Sequence, residues 1–173
     1  MRKQTIITII LAVFLLQGTL FAADLLTSAE EDGIMLMREE EKLARDVYIV
    51  LFETWHIETF DNISSSEEQH MSAVGKIIER YDLEDPIVND EVGVFTDAHL
   101  QGLYEDLIEK GMRTVEDALE VGIMIEELDI ADLEALMSED LPDDIQRTYS
   151  RLLRGSERHL DSFESQLAKY SYI

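Results

Sequence analysis

The sequence predicts an all-α protein, a four-helix bundle with one long crossover that carries a short accessory helix. From Thr27 onward, apolar residues recur every three or four positions and almost nowhere alternate as they do in a half-buried strand. Helix caps and turn residues divide this pattern into four long segments and one short segment. The length of 173 residues is typical of one domain with a substantial core.

The first two long helices are predicted from their caps and their apolar spacing. Thr27 and Glu30 have the spacing of a capping box, so the first helix is predicted to begin there and to run to about Trp55. The second helix is predicted over residues 63–81 and is entered through the polar run 61–66, which contains good N-cap residues.

The crossover is predicted from turn chemistry in residues 83–96, which include Pro86 and Gly93. A short amphipathic helix follows over residues 97–110 and is stopped by Gly111. One long connection between the second and third main helices is characteristic of bundles with a crossover.

The last two long helices complete the bundle. Thr114, with Asp117 three residues later, is predicted to start the third, which ends at about Met137. Pro142 lies near the first turn of the fourth, which continues to about Ala168.

The amino terminus has the pattern of a secretory signal peptide. Arg2 and Lys3 precede an uncharged, largely apolar stretch, residues 4–23, that ends in two alanines. We therefore expect residues 1–23 to be the signal peptide and residues 24–173 to be the mature domain. The protein would be exported to the periplasm, the cell envelope or the exterior. The alternative is a retained membrane anchor, since the stretch approaches the ~20 residues that span a bilayer.

Composition limits the chemistry. Asp and Glu number 38 against 14 Lys and Arg, a formal net charge of -24, which argues against binding nucleic acid or an anionic membrane surface. The absence of cysteine excludes disulfides, thiolate metal sites and cysteine nucleophiles. A functional site in this chain must use oxygen and imidazole groups.

Each long helix places at least one such group on its apolar stripe, where it points into the bundle. These candidate metal ligands are Glu41, Glu67, His70, Glu126, Asp129 and His159. Buried carboxylates without a counter-charge cost several kcal/mol each, and no basic residue lies on these stripes, so metal cations are the expected partners. Oxygen and imidazole ligands suit iron or manganese, with zinc as a further candidate. Helix bundles arrange such a set around two bridged metal ions.

Several stretches also carry a family resemblance over about residues 28–167. They resemble an uncharacterised ferritin-like family of bacterial and archaeal proteins that is related to rubrerythrins; the stretches are 37–48, 66–71, 92–95, 125–130 and 153–160. The resemblance implies a ferritin-like fold but no established activity. Carried over residue by residue, it implies the metal ligands Glu41, Glu67, His70, Glu126 and His159.

One position departs from the superfamily pattern. The fourth helix should carry Glu-x-x-His, yet Ser156 stands three residues before His159. Asp129 can substitute, as can Glu40 or Glu127 if a helix is rotated from this assignment. A single-metal site therefore remains an alternative to the dinuclear one.

The predicted function is redox chemistry at two iron ions, of the ferroxidase or peroxide-reducing and O2-reducing type. Any electron donor would be a separate molecule, because the chain has no cysteine-rich electron-transfer domain. We expect no nucleic acid partner and no membrane association after signal cleavage, and homo-oligomers are left open. Two alternatives are a non-enzymatic metal-binding or scavenging protein of the envelope and a metal-free helical interaction module. His56 and His99 are predicted to be surface residues.

Overall fold

The computed structural model describes residues 26–170, and all regular structure in that range is helical. The helices are α1 Ser28–Trp55, α2 Glu58–Arg80, α3 Ala98–Gly111, α4 Val115–Leu136 and α5 Asp143–Tyr170. The described residues contain no strand, which confirms the predicted all-α class. Within this range no helix is both long and apolar enough to cross a bilayer. The predicted signal peptide lies outside the described residues.

The four long helices pack as two hairpins, α1 on α2 and α4 on α5. The hairpins meet through α1 with α4 and through α2 with α5, while α3 packs on α1 and α4. In α1 and α4 the start of one helix lies against the end of the other. Gly33 abuts Leu136, and the Tyr48 hydroxyl lies 3.4 Å from the carbonyl oxygen of Gly122. The two helices are therefore antiparallel.

The second pair of facing helices is also antiparallel. The Tyr81 hydroxyl at the end of α2 donates to Asp144 at the start of α5 at 2.9 Å, and Ser66 contacts His159 further along. Since α2 and α4 both run opposite to α1, they point the same way. The chain must therefore return along the bundle between them, and residues 81–97 with α3 make this crossover.

The helix starts follow the predicted caps with one exception. Thr27 and Glu30 form both bonds of the capping box, and Thr114 accepts from the backbone N–H of Asp117. However, α2 begins at Glu58, five residues before the predicted start at Ile63, so the polar run 61–66 lies inside the helix. His56, with φ 53°, ends α1 in a left-handed turn that leads directly into α2.

Two apolar layers enclose the middle of the bundle. One is centred on the aromatic side chains of Tyr48, Phe60 and Phe163, whose ring centroids lie 5.1 to 6.1 Å apart. The other contains Leu133 and Tyr149 with residues from the start of α1 and the end of α2. The predicted ligands lie between these layers along each helix, where water has little access.

An ionic network that sequence reasoning missed holds the crossover on α1. Lys42 is 1% exposed and Asp46 is 0% exposed, and they form an ion pair at 2.5 Å. The Lys42 ammonium also donates to the carbonyl oxygen of Glu91 at 3.0 Å. Asp46 accepts from the backbone N–H of Gly93 at 2.9 Å. Gly93 has φ 77°, a conformation that suits glycine.

Arg45 extends this network to the surface. Its guanidinium pairs with Asp46 at 2.8 Å, with Asp90 of the crossover at 2.6 Å and with Glu68 of α2 at 2.7 Å. Both basic side chains lie on the side of α1 turned toward the crossover, so they leave the carboxylate stripe of α1 without a counter-charge.

Candidate metal centre

The structure brings the predicted carboxylates into the interior. Glu41 shares a face of α1 with Met37 and Tyr48, because it lies four residues after the one and seven before the other, and that face packs into the core. The same spacing turns Glu67 of α2 and Glu126 of α4 inward. These three glutamates are each 2% exposed.

The first cluster joins α1 and α2. His70 Nδ1 lies 2.7 Å from Glu67 Oε2 and 3.2 Å from Glu41 Oε2. Glu67 and His70 are three residues apart and so project from the same face of the helix. One ligand atom from each of these three residues falls within 4.8 Å of the other two.

The second cluster joins α2, α4 and α5 through the same Glu67. His159 Nδ1 lies 2.8 Å from Glu67 Oε1 and 3.6 Å from Glu126 Oε2. Glu67, Glu126 and His159 likewise offer ligand atoms within 4.8 Å of one another. The two imidazole rings stack with centroids 5.6 Å apart. Glu67 therefore belongs to both clusters, with one oxygen turned toward each histidine.

Asp129 lies beside Ser156, the residue that departs from the superfamily pattern. The Ser156 hydroxyl donates to Asp129 Oδ2, and Asp129 Oδ1 is buried without a hydrogen-bond partner. Asp129 is 9% exposed, and its charge acts on Glu41 and on both histidines. A carboxylate from α4 therefore occupies the neighbourhood in which α5 offers only a hydroxyl.

Three further residues position the predicted ligands, and the sequence did not identify them as part of the site. The Tyr48 hydroxyl donates to Glu126 Oε1 at 2.7 Å, so Tyr48 contacts a candidate ligand as well as packing in the core. His159 Nε2 lies 3.0 Å from the Ser66 hydroxyl, which fixes the ring with Nδ1 toward the carboxylates. Gly155 faces His70, and a Cβ there would come within 2.5 Å of Nε2. In the sequence, only the small size of residue 155 could have indicated the close approach of α5 to His70.

The other candidates lie elsewhere. Glu127 is exposed on α4 and does not approach the clusters. Glu40 is buried, but the groups acting on it are Asp132 and Asp129 rather than either histidine. His56 and His99 are exposed, which confirms the prediction for both.

Glu67 is the anionic centre of the site. Burial raises the pKa of its carboxyl, but contacts with His159 and His70 outweigh this effect and lower the pKa to about 2. Burial also disfavours a charged His159, yet Glu126 and Glu67 raise its pKa to about 9. At neutral pH the His159 imidazolium thus lies against the Glu67 carboxylate in the metal-free protein, and contact with Glu67 also raises the pKa of His70.

The remaining carboxyls favour the protonated form. Burial, with the charges of Asp129 and Glu67, raises the pKa of Glu41 well above its usual value. Burial and the charge of Glu67 raise the pKa of Glu126 to about 7, although His159 and Tyr48 oppose the shift. Burial raises the pKa of Asp129 to about 6. A bound cation would replace these protons, because metal ligands bind in their deprotonated forms.

The donor atoms fit a cation. Glu41 Oε1, Glu67 Oε1, Asp129 Oδ1 and His159 Nδ1 are all buried and form no hydrogen bond of acceptable geometry. Among residues 26–170 no lysine or arginine pairs with these carboxylates, and histidine is their basic partner. Buried polar atoms without a well-formed hydrogen bond are costly, and a metal ion would satisfy them together. The acidic and histidine residues can thus form a metal site.

A helical bundle with carboxylates and histidines clustered between its helices defines the class of this protein. The chain belongs to the family described as an uncharacterized protein domain, DUF2202, which matches residues 30–172. This confirms the predicted membership of a family without an assigned function. Membership of this family does not by itself show a relationship to ferritins or rubrerythrins.

The chain is similar to a protein from an archaeon. It is 44% identical over 145 residues to the uncharacterized protein MJ0754 of Methanocaldococcus jannaschii, a match that covers 84% of this chain and 78% of the relative. The crystal structure of the hypothetical protein MJ0754 from Methanococcus jannaschii matches with a TM-score of 0.83, covering 84% of this chain and 83% of that chain. These similarities support the helical fold and bring no activity with them.

Proposed function

We propose that this chain is a ferritin-like protein whose buried cluster binds two metal ions, iron in preference to manganese or zinc. The position of Glu67 carries the proposal. Its Oε2 lies 2.7 Å from His70 Nδ1, and its Oε1 lies 2.8 Å from His159 Nδ1. A carboxylate with a separate ligand group at each oxygen suits a bridge between two ions.

The ligand sets follow from the two clusters. Glu41 and His70 would hold one ion, Glu126 and His159 would hold the other, and Glu67 would lie between them. Ligands of oxygen and imidazole without sulfur are those that iron and manganese accept in proteins. Tyr48 orients Glu126, and Ser66 orients His159, as hydrogen-bond partners behind metal ligands commonly do.

The course of the chain supports the ferritin-like assignment. α1 is antiparallel to α2 and to α4, and one long connection joins α2 to α4. Ferritin-like folds are four-helix bundles with one such crossover, and they place their metal ligands on facing helices. α3 lies within that connection as the short accessory helix.

Redox chemistry is the activity that we assign to this centre. Bound iron would supply electrons one at a time for the reduction of O2 or peroxide, while an electron donor outside the chain restores the ferrous state. The protein's own part is to hold the ligands, to keep water out with the apolar layers, and to take up or release protons at Glu41 and Glu126.

Metal stoichiometry tests the binding proposal. Purified protein is loaded with Fe(II) without oxygen, desalted and analysed by elemental mass spectrometry, and two ions per chain are expected. Glu67→Gln keeps the size of the side chain but removes the shared charge, so it should lose both ions. Glu127→Gln, which removes an exposed charge from α4, should retain two. Failure of the wild-type protein to retain Fe, Mn or Zn would overturn the proposal.

Oxidation kinetics separate an enzyme from a scavenger. When O2 or peroxide is added to the iron-loaded protein, a redox enzyme should oxidise the bound iron rapidly. With a reductant present, it should consume O2 or peroxide over many cycles. A scavenging protein of the envelope would hold the metal without turnover, and a metal-free interaction module would hold none. These outcomes decide among the three functions that the sequence left open.

We place this function outside the cytoplasm and leave self-association to measurement. The support for export is the signal-like pattern of residues 1–23 alone. Amino-terminal sequencing of the protein from fractionated cells should show a start near residue 24. Recovery from the cytoplasm with residue 1 or 2 at the amino terminus would refute export. Light scattering on the metal-loaded protein determines whether homo-oligomers form.

A further inference from the structure

A row of acidic side chains leads from the surface to the centre along the contact between α1 and α4. Glu40 precedes the candidate ligand Glu41 on α1 but turns toward α4, where Asp132 and Asp129 are the charged groups that act on it. Asp132 is partly exposed, whereas Glu40 and Asp129 are each 9% exposed. The row therefore runs from solvent through Glu40 to Asp129, beside the ligand clusters.

The register of the two helices explains this arrangement. Because α1 and α4 are antiparallel, Gly33 lies against Leu136 and Tyr48 lies against Gly122 and Glu126. Residue 40 falls between these two contacts, opposite residues 129 and 132. Asp129 and Asp132 are three residues apart, so both face Glu40.

Two buried oxygen atoms in the row have no partner. Glu40 Oε2 and Asp129 Oδ1 are enclosed by the protein and form no hydrogen bond. Neither carboxylate has a lysine or arginine partner among the ion pairs of residues 26–170. Buried carboxylates in this state are costly to the fold, so their presence calls for a role beyond stability.

The opposite side of α1 differs in charge. There Lys42 and Arg45 are buried in ion pairs with Asp46, and Arg45 also pairs with Glu68 beside Glu67. The carboxylates on that side are already held by ammonium and guanidinium groups, whereas the side of α1 facing α4 presents buried carboxylate oxygens without such partners.

We propose that Asp132 and Glu40 form the entry path along which a metal cation passes from solvent to Asp129 and then to the buried centre. The inference rests on the proposed function, since it gives the route by which the two ions arrive. Asp132 would capture the cation at the surface and Glu40 would receive it within the protein. Asp129 would pass it to the cluster of Glu41 and His70, on which its charge acts.

Loading kinetics test the path. Wild-type protein is mixed with Co(II) in a stopped-flow spectrometer, and absorption of the bound ion is followed at low ionic strength. The Glu40→Gln/Asp132→Asn double variant keeps the shapes of both side chains and removes the two carboxyl groups that would contact the cation. We expect it to bind the same two ions per chain but to load roughly tenfold more slowly, since clefts lined by like charges raise association rates by about that factor or more.

The matched control is Glu127→Gln/Glu134→Gln, which likewise replaces two carboxyl groups by amides, at exposed positions of α4. It should load at the wild-type rate. If the path variant loads as fast as this control, the path is wrong while the metal site stands. If the path variant loses an ion, Glu40 or Asp132 is a ligand and the path is also wrong. A wild-type protein that binds no Co(II), Fe(II) or Mn(II) would refute both the site and its path.

Folding is checked separately by circular dichroism. Should the double variant unfold, the loading rate is measured on the Asp132→Asn single variant, because residue 132 is partly exposed and tolerates an amide of the same shape. Slower loading by this single variant supports the path, and loading at the control rate refutes it.

Discussion

Gly155 determines how closely α5 approaches the face of α2 that carries Glu67 and His70. A Cβ at this position would come within 2.5 Å of His70 Nε2, closer than non-bonded atoms approach. His70 contributes to the cluster of Glu41 and Glu67, so the absence of a side chain at residue 155 gives its ring room. The glycine thus acts on the site through packing alone.

Gly155→Ala should therefore weaken metal binding. The added methyl group pushes the His70 ring from Glu67 and Glu41, and such overpacking costs about 1–3 kcal/mol, partly offset by the higher helix propensity of alanine. Gly102→Ala is the control, because nothing lies within 4 Å of its Cβ and the substitution should stabilise α3 by up to about 1 kcal/mol. Co(II) titration and urea unfolding measure the two effects. Wild-type Co(II) affinity in Gly155→Ala would contradict this account of His70.

At the scale of the element, α1 serves two purposes on two faces. One face carries Glu41 into the bundle, and another buries Lys42, Arg45 and Asp46 beneath the crossover. Asp46 makes the central contacts, since it pairs with both basic side chains and accepts from the Gly93 N–H. The crossover is thereby fixed to the helix that also supplies a candidate ligand.

Asp46→Asn should destabilise the protein strongly. It leaves Lys42 and Arg45 partly unpaired in the interior, and breaking a buried ion pair costs about 3–5 kcal/mol. Glu109→Gln is the contrasting change, because its pair with Arg113 is exposed and should be worth about 0–1 kcal/mol. Chemical unfolding measures both. Equal stability of the two variants would show that the network does not hold the crossover.

The elements also show what the sequence can predict. Apolar spacing determines which residues of one helix share a face, so it predicted all five helices and the inward direction of Glu41, Glu67, His70, Glu126 and His159. It could not predict the early start of α2, because Ser64 bonds to the Asp61 carbonyl oxygen inside the helix instead of capping it.

The buried ion pair of Lys42 and Asp46 also could not be predicted from the sequence. Charged residues four apart are typical of a solvated helix face, and only the crossover folded over them makes this face buried. The hydrogen bond from Ser156 to Asp129 joins α5 to α4, so spacing within one helix could not predict it. From the sequence, Asp129 was predicted only as an alternative ligand.

The buried carboxyl groups make the free energy of unfolding of the whole molecule depend on pH. In the folded metal-free protein, pKa values are raised to about 7 at Glu126, to about 6 at Asp129 and to about 9 at Glu40. The pKa of His159 is likewise raised to about 9. The folded state therefore holds more protons than the unfolded chain between pH 4 and pH 9, and its stability falls as pH rises through this range.

The metal-free protein should be most stable near pH 4. Below that value the lowered pKa of Glu67, about 2, acts in the other direction, because protonation of Glu67 removes its pairs with His70 and His159. From pH 5 to pH 9 the loss should be at least about 2 kcal/mol, since each pKa unit corresponds to about 1.4 kcal/mol. Urea unfolding across this range measures it. Glu126→Gln should reduce the slope between pH 5 and pH 7, and an unchanged slope would contradict the assignment.

The central claim is that Glu67 lies between two metal ions, and anomalous diffraction from crystals grown anaerobically with Fe(II) tests it most directly. The account predicts two iron peaks about 3.5–4 Å apart, one beside Glu41 and His70 and one beside Glu126 and His159, with one oxygen of Glu67 on each ion. A single peak, or peaks that Glu67 does not contact, would contradict the claim.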